Sequence, residues 1–553
     1  PALVAHAQSR PPVELSWADL RDQVARVRAG LARLGVGPGD RVAAYLPNVP
    51  EAVVALLATA SLGAVFTSCA PEFGVRSVVD RFAQVEPAVL LAVDGYRYGA
   101  RGVDRRAEVA ELRAALPSLR ATVLLPYLDP AAAVEGALPW AELCAEEGPL
   151  EFVPVPFDQP LYVLYSSGTT GLPKAIVHGH GGILLEHLKA LALQMDLGPG
   201  DRFFWFTTTG WMMWNYLVSG LLVGATVVLF DGDPGHPDLG TLWRMAAQSR
   251  VTYFGHAAPY YLACRKAGLR PGDLVDLSSL RGVGSTGAPL PPEGFRWVYD
   301  AVRRDVLLMS FSGGTDVCTG FVGGSPLLPV RAGRIAGRCL GARVEAYDAQ
   351  GRSVVGQEGE LVITAPMPSM PVGFWGDPDG RRYREAYFSA YEGVWRHGDW
   401  VTIHPDGSVT ISGRSDSTLN RGGVRIGTAE FYRVVEEVPG VADSLVVHLE
   451  DPEGGPGELV LFVVPAPGAA WDEAARARLV TALRTQLSPR HVPDAIHPVP
   501  AIPRTLTGKK LEVPVKRILT GAPVGAVASK DALADPAALD AFVALARTRT
   551  NRA

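Results

Sequence analysis

LYVLYSSGTTGLPKAIVHGHGG, residues Leu161–Gly182, is the stretch on which the reading of this chain turns. An apolar run, Leu161–Tyr165, has the length and character of a buried strand and delivers a loop. Four hydroxyl residues, Ser166, Ser167, Thr169 and Thr170, stand there with Gly168 and Gly171 ahead of Lys174. Glycine lets backbone N–H groups come close to phosphate oxygens. The hydroxyls add donors, and Lys174 adds a mobile positive charge. The loop lacks the GxxxxGK[ST] spacing of the P-loop, so it is not an ordinary nucleotide-switch motif. The plain alternative is a flexible polar loop.

Lysine is scarce, which sharpens that reading. The chain holds Lys174, Lys189, Lys266, Lys509, Lys510, Lys516 and Lys530, and all other strong bases are arginine. A lysine kept in a Gly-rich loop then carries weight, because ammonium and guanidinium are not interchangeable beside a phosphate. Lys174 and Lys509 stand in such loops.

Outward from the loop, helix and strand patterns alternate. Ser16–Leu34 has helical apolar spacing, stopped by Gly35, Gly37, Pro38 and Gly39. Arg41–Leu46 and Val89–Val93 read as strands, and Glu51–Ala60 as a helix. The alternation recurs at Val227–Phe230, Thr241–Gln248 and Val251–Gly255. It predicts α/β layers with largely parallel sheets. Glu345–Ile411 reads as strand-rich, with turns that predict antiparallel pairing. After the polar, Gly-rich Gly413–Gly423, a helix (Thr428–Val438), two strands (Ser444–Leu449, Leu459–Val464) and a helix (Glu473–Leu487) form an α+β unit. At about 130 residues it is a normal small domain. Pro536–Arg547 reads as a surface helix or a poorly ordered end.

With 553 residues the chain is expected to hold two or more domains. A hydrophobic content of 48% and a charged content of 20% fit ordinary globular protein. The net charge of -5 gives no bulk attraction to nucleic acid or membrane. Five sparse cysteines without metal-type spacing fit buried thiols in a reduced, cytoplasmic setting. The sequence opens at Pro1 with no basic–apolar signal pattern, which reads as a processed or truncated start. The apolar runs Ala52–Phe66 and Tyr216–Phe230 fall short of the roughly 20 residues that cross a bilayer, and read as buried helix or strand.

Five further motifs follow the phosphate loop: GSTGAPL (Gly284–Leu290), SGGTD (Ser312–Asp316), WRHGDW (Trp395–Trp400), GRSDSTLNRGGVRIGTAE (Gly413–Glu430) and PRTLTGKKLEVPVKR (Pro503–Arg517). Six in this order resemble the acyl-adenylate-forming superfamily, which includes acyl-CoA synthetases, nonribosomal adenylation domains and firefly luciferase. The resemblance implies a large N-terminal domain, 1–415, of layered α/β sheets with a β-rich portion, and a small mobile α+β C-terminal domain, 416–553. It implies ATP, Mg2+ and coenzyme A as cofactors. It assigns Ser166, Ser167, Gly168, Thr169, Thr170 and Lys174 to the phosphates. It lays Gly287, Ala288 and Pro289 along adenine, and sets Gly314 and Thr315 by the α-phosphate. Asp316 is implied to hold Mg2+; the superfamily usually has the longer Glu there. Asp399 and Arg414 are implied to hold ribose and Arg425 to lie near the phosphates. Asp416 is the implied interdomain hinge, Gly422 and Gly423 line the thiol tunnel, and Lys509 is the adenylation lysine. Asp399 capping a turn, Arg425 in a surface ion pair and the Gly pair in a plain turn are the bland alternatives.

The chemistry agrees. A carboxylate is a poor electrophile, and attack on the α-phosphate of ATP turns it into a mixed anhydride and releases pyrophosphate. Cations and donors held in place stabilise the charge at phosphorus; Lys174, Thr315 and Lys509 are the catalytic candidates. A thiol then displaces AMP.

Within the superfamily the chain most resembles short-chain CoA synthetases, and among them the acetoacetyl-CoA synthetases. The matching stretches are SCAPEFG (Ser68–Gly74), PKAIVHGHGG (Pro173–Gly182), TTTGWMMWN (Thr207–Asn215), SFSGGTDVCTGFVGG (Ser310–Gly324) and LNRGGVRIGTAEFYR (Leu419–Arg433). Acetate-specific relatives place an aromatic pair where Ser312 and Gly313 stand. The expectation is that Gly313 opens an acyl pocket walled by Trp211, Met212, Met213 and Thr286. A four-carbon keto acid fits, with butyrate, propionate and acetate as rivals, since one methylene discriminates by only about 1–3 kcal/mol. A noncatalytic nucleotide-binding regulator is the alternative of another class. The expected partners are a small-molecule acid, ATP and CoA, without nucleic acid or membrane, and a lysine acetyltransferase acting on Lys509.

Overall fold

The structure is a computed structural model that describes residues 1–166, 172–415, 419–421, 424–426, 428–451, 455–504, 510–524 and 535–550. The chain forms two units. The larger gathers Pro1–Pro71, Val78–Ser166 and Lys174–Ser412; the smaller is built on Gly413–Ala553 and takes in Glu72–Ser77.

The first helix illustrates how sequence sets structure. Ser16 caps Trp17–Arg33 in a capping box with Asp19. Leu20, Val24, Val27 and Leu31 repeat at helical spacing and are buried. Gly35, at φ +79°, ends it in a conformation that favours glycine.

Two large sheets organise the larger unit. One has eight strands in the order Gly373–Phe374, Lys174–Gly179, Pro160–Ser166, Val65–Cys69, Arg41–Tyr45, Val89–Val93, Ala121–Leu125, Leu138–Pro139. From Pro160–Ser166 onward its pairs are parallel, while Lys174–Gly179 joins antiparallel. Val89–Val93 is buried throughout, as expected of a parallel strand covered on both faces. The other sheet has seven strands, in the order Leu307–Ser310, Gly282–Thr286, Tyr253–Ala257, Arg202–Trp205, Thr226–Asp231, Leu3–Ala7, Val13–Leu15. All but the last pair are parallel. The strand-rich region forms a five-stranded sheet whose recorded pairs are antiparallel, with its own core around Trp395. A three-stranded antiparallel sheet, Ser312–Gly314, Thr319–Gly323 and Gly337–Arg338, lies between these elements in sequence.

The apolar runs resolve into helix then strand: Pro50–Ser61 before Val65–Cys69, and Met213–Val218 before Thr226–Asp231. Among the described residues no helix is long and apolar enough to cross a membrane.

In the smaller unit, Val441–Leu449 pairs antiparallel with Glu458–Pro465, which pairs parallel with Ala495–Pro498. Helices Thr428–Glu436 and Glu473–Gln486 contribute to one apolar cluster, and Glu512–Leu519 to a second. The tail is helical over Asp540–Thr550 and packed, with Phe542 fully buried 4.7 Å from the ring of Phe462.

Candidate active site

Strand Pro160–Ser166 and strand Lys174–Gly179 form an antiparallel pair in which Ser166 lies opposite Lys174. The flanks of the motif are therefore neighbouring strands of the eight-stranded sheet. Ser167, Gly168, Thr169 and Thr170 lie outside the described residues, whereas Ser166 and Lys174 are placed.

Lys174 reaches the SGGTD motif. Its ammonium donates to Asp316 Oδ1 at 2.6 Å and to the Tyr387 hydroxyl at 3.3 Å. The same Oδ1 accepts from the Tyr387 hydroxyl at 2.5 Å and, at 3.4 Å, from Ser166. The Asp316 side chain is 3% exposed. Burying a carboxylate is costly unless it is paired and hydrogen-bonded, and here it is both. The charges left after one partner is removed would cost about 3–5 kcal/mol on the usual scale for buried pairs. Tyr387, on helix Arg381–Phe388, stacks on Trp395 at 3.6 Å with 12° between the rings.

Thr315 and Asp316 occupy the turn between Ser312–Gly314 and Thr319–Gly323. The segment that runs on from the phosphate loop grips this turn. His178 Nε2 lies 3.2 Å from the Thr315 carbonyl, and His187 Nε2 lies 2.7 Å from that of Cys318. Glu186 Oε1 accepts from the Thr319 hydroxyl at 3.0 Å and from Lys189 Nζ at 2.7 Å. A carbonyl only accepts, so each ring carries its proton on Nε2. Burial outweighs the hydrogen bonds to Thr315 and Cys318 and pushes each imidazole down to about 4, so both are neutral near pH 7. Cys318 has φ +50°, an uncommon conformation for a residue with a side chain. Its thiol lies 3.4 Å from the Tyr162 hydroxyl, and burial pushes it up to about 12, far from a reactive thiolate.

The Gly287–Pro289 segment follows strand Gly282–Thr286, and the SGGTD turn comes soon after its parallel neighbour Leu307–Ser310. Both leave the carboxyl ends of parallel strands, where open α/β sheets bind ligands. The Thr286 hydroxyl donates to the Phe311 carbonyl at 2.9 Å, tying the two segments together. Gly287, at φ +82°, starts the turn through Ala288 and Pro289. Asp399 is buried in strand Trp395–Ile403, with Oδ2 3.7 Å from His397 Nε2. The Trp395 indole donates to His397 Nδ1 at 3.4 Å, so Nε2 faces Asp399 with its proton. Arg414 ends strand Val409–Arg414, half-buried. Arg425 is placed by its backbone opposite Asn420. Asp416, Gly422, Gly423 and Lys509 lie outside the described residues. The neighbouring Lys510 is tied up within the smaller unit, with the Glu436 carboxylate at 2.5 Å, the Ser444 carbonyl at 2.6 Å and the Tyr432 ring at 3.7 Å.

The acyl wall needs one correction. Met212 and Met213 are buried in the main core, Trp211 packs against it, and Thr286 is buried. Gly313, however, does not face open space. A Cβ built there would lie 1.9 Å from the Thr319 carbonyl oxygen and 2.7 Å from Gly320 Cα. The missing side chain permits close approach of two backbones in a hairpin, instead of enlarging a pocket.

Sequence reasoning missed Tyr387, His187 and Glu186, and quoted His178 without a role. His178 was within reach: in a strand, residues 174 and 178 share a face. Glu186 and His187 form a polar pair that, with Lys189, interrupts the apolar run ILLEHLKALAL, Ile183–Leu193.

Among the described residues no group of three or more His, Cys, Asp or Glu is placed to hold a metal. A Mg2+ carried on phosphates needs only one or two carboxylates from the protein, and the buried oxygens of Asp316 fit that demand.

The Lys174 of a hydroxyl-rich motif bonded to a buried carboxylate, in a turn that follows a parallel strand, is what a family of adenylate-forming enzymes would display. The family model for AMP-binding enzymes matches residues 1–372, and that for the AMP-binding enzyme C-terminal domain matches 433–509. The chain belongs to the AMP-binding enzyme family. More particularly, it is 48% identical over 551 residues to an acetoacetyl-coenzyme A synthetase of Rhizobium meliloti (strain 1021), across 98% of this chain and 84% of that protein. It is 39% identical to an acetoacetyl-CoA synthetase of Gallus gallus, across 98% and 82%. The solved structure of an acetoacetyl-CoA synthetase from Streptomyces lividans has a TM-score of 0.75 and 53% identity, covering 99% of this chain and 84% of that one.

Proposed function

We propose that this chain ligates acetoacetate to coenzyme A through an acyl-adenylate. The observation that carries this is near-full-length similarity to acetoacetyl-CoA synthetases, together with a joined phosphate-loop lysine and SGGTD turn. The acid's carboxylate attacks the α-phosphorus of ATP, the bond to the β-phosphate breaks, and pyrophosphate leaves. The CoA sulfur then attacks the activated carbonyl, AMP departs with the bonding pair, and the thiol proton is released. Mg2+ would neutralise phosphate charge, with Asp316 as its protein carboxylate.

Lys174 would exchange its contact with Asp316 for the phosphates, with Thr315 donating at the α-phosphate. Gly287, Ala288 and Pro289 would flank adenine, Asp399 and Arg414 would hold ribose, and Lys509 would serve the first step. Asp416 would be the hinge between 1–415 and 416–553. Trp211, Met212, Met213 and Thr286 remain the proposed acyl wall. A cytoplasmic setting and acetylation of Lys509 complete the reading; acetylation would remove the charge on which adenylation depends.

The test is a panel of acetoacetate, butyrate, propionate and acetate, scored by thioester formation with ATP and CoA. Acetoacetate should give the highest kcat/KM. A preference for butyrate would refute the keto-acid assignment while leaving the ligase reading intact.

A further inference from the structure

We infer that His187, supported by Glu186, is a positioning residue for adenylation: it acts through the Cys318 carbonyl to hold the Thr315–Asp316 turn in register with the phosphate loop. This rests on the proposed function of that turn. Three observations carry it.

First, the grip is continuous in sequence. Lys174, His178, Glu186 and His187 meet, in turn, the Asp316 carboxylate, the Thr315 carbonyl, the Thr319 hydroxyl and the Cys318 carbonyl. The strand and helix that follow the phosphate motif therefore hold the turn at Thr315, Asp316, Cys318 and Thr319, which ties its movement to theirs.

Second, the turn needs holding. Cys318 is in the left-handed region at φ +50°. A residue with a Cβ stays there only where its surroundings over-determine it. The short bond from His187 to the Cys318 carbonyl, and that from Thr319 next in sequence to Glu186, are such constraints.

Third, the ring is itself fixed from behind. His187 Nδ1 lies 2.7 Å from the Ser219 hydroxyl, and the ring meets Tyr216 edge-on at 5.1 Å. Glu186 and His187 have no exposed side-chain surface to offer a ligand, so their polarity serves the interior. An active-site group displaced by a fraction of an ångström loses much of its electrostatic benefit.

The experiment compares two half-reactions in the full chain. Acid-dependent ATP–pyrophosphate exchange needs the turn and Mg2+; thioester formation from synthetic acetoacetyl-adenylate needs neither triphosphate nor the metal. His187→Leu keeps volume and removes the donor. Exchange should fall roughly tenfold or more, with a higher Mg2+ requirement, while thioester formation, in which Thr315 still meets the α-phosphate but Asp316 carries no metal, should fall several-fold less. His187→Gln can present an N–H near the Nε2 position and should recover exchange to within about threefold of wild type. Ser219→Ala, a milder change that frees only the back of the ring, should lower exchange a few-fold and keeps the test decisive if the leucine variant does not fold. Equal loss of both half-reactions in all variants, or full exchange in His187→Leu and Ser219→Ala, would overturn the inference. Absence of acid-dependent exchange in wild type with every acid would overturn the functional reading, and the inference with it.

Discussion

Gly313 was legible as unusual but not in its role. Its place ahead of Thr315 marks it in sequence, and only the hairpin shows that the Thr319 carbonyl takes the space where a side chain would begin. Gly313→Ala should therefore force two backbones apart, at about 1–3 kcal/mol by the usual cost of overpacking. Acetate and acetoacetate use should fall in parallel in the acid panel, with a lower melting temperature; a selective loss of acetoacetate would restore the pocket reading. Lys174 and Asp316 were each legible from their motifs, because a lysine among many arginines and an acid after Thr stand out. Their mutual contact was not, since 142 residues separate them. Tyr387 carried no signal at all: a tyrosine in a charged helix reads as surface, and its burial comes from stacking on Trp395.

Elements were read well where periodicity was strong. Helix Trp17–Arg33, strand Val89–Val93 and helix Thr241–Gln248 fall where apolar spacing put them. Short strands such as Ser312–Gly314 were not legible, because their pairing depends on a partner rather than on a pattern. The neutral histidines beneath that hairpin give it a pH signature. His178 and His187 have folded-state values of about 4, against an ordinary 6.5. The unfolded chain takes up protons first, so the stability linked to these rings is full above 6.5 and drains as pH falls from 6.5 to 4. Each ring accounts for about 3 kcal/mol at the acid end of that window. Melting temperature should drop across it, and His187→Gln should make the slope shallower. His6, His180, His448 and His497 are shifted the same way by burial and contribute to the remainder.

At the scale of the molecule, the proposed chemistry is divided between an early lysine and a late one. Lys174 lies in the larger unit beside Asp316, while Lys509 follows the smaller unit's sheet in sequence. Lys510 is held by Glu436, the Ser444 carbonyl and Tyr432, so it does not stand in for its neighbour. Lys509→Ala should lower pyrophosphate exchange by roughly 10²–10³-fold, the scale of one preorganised contact, and leave thioester formation from acyl-adenylate intact. Equal loss in both assays would contradict the division of labour. The two-part organisation was legible because composition changes sharply at Gly413–Gly423. The core that the two large sheets share was not, since parallel strands of either sheet look alike in sequence.

The stacked Tyr387–Trp395 pair also makes the turn optically visible. The phenol that ends on Asp316 lies flat against a fully buried indole, so any ligand that draws on that carboxylate changes the field at a fluorophore. Titration with ATP and Mg2+ should shift the intrinsic tryptophan emission. Trp395→Phe should abolish that response, and Tyr387→Phe should blunt it. An unchanged response in Trp395→Phe would place the reporter elsewhere among the eleven tryptophans.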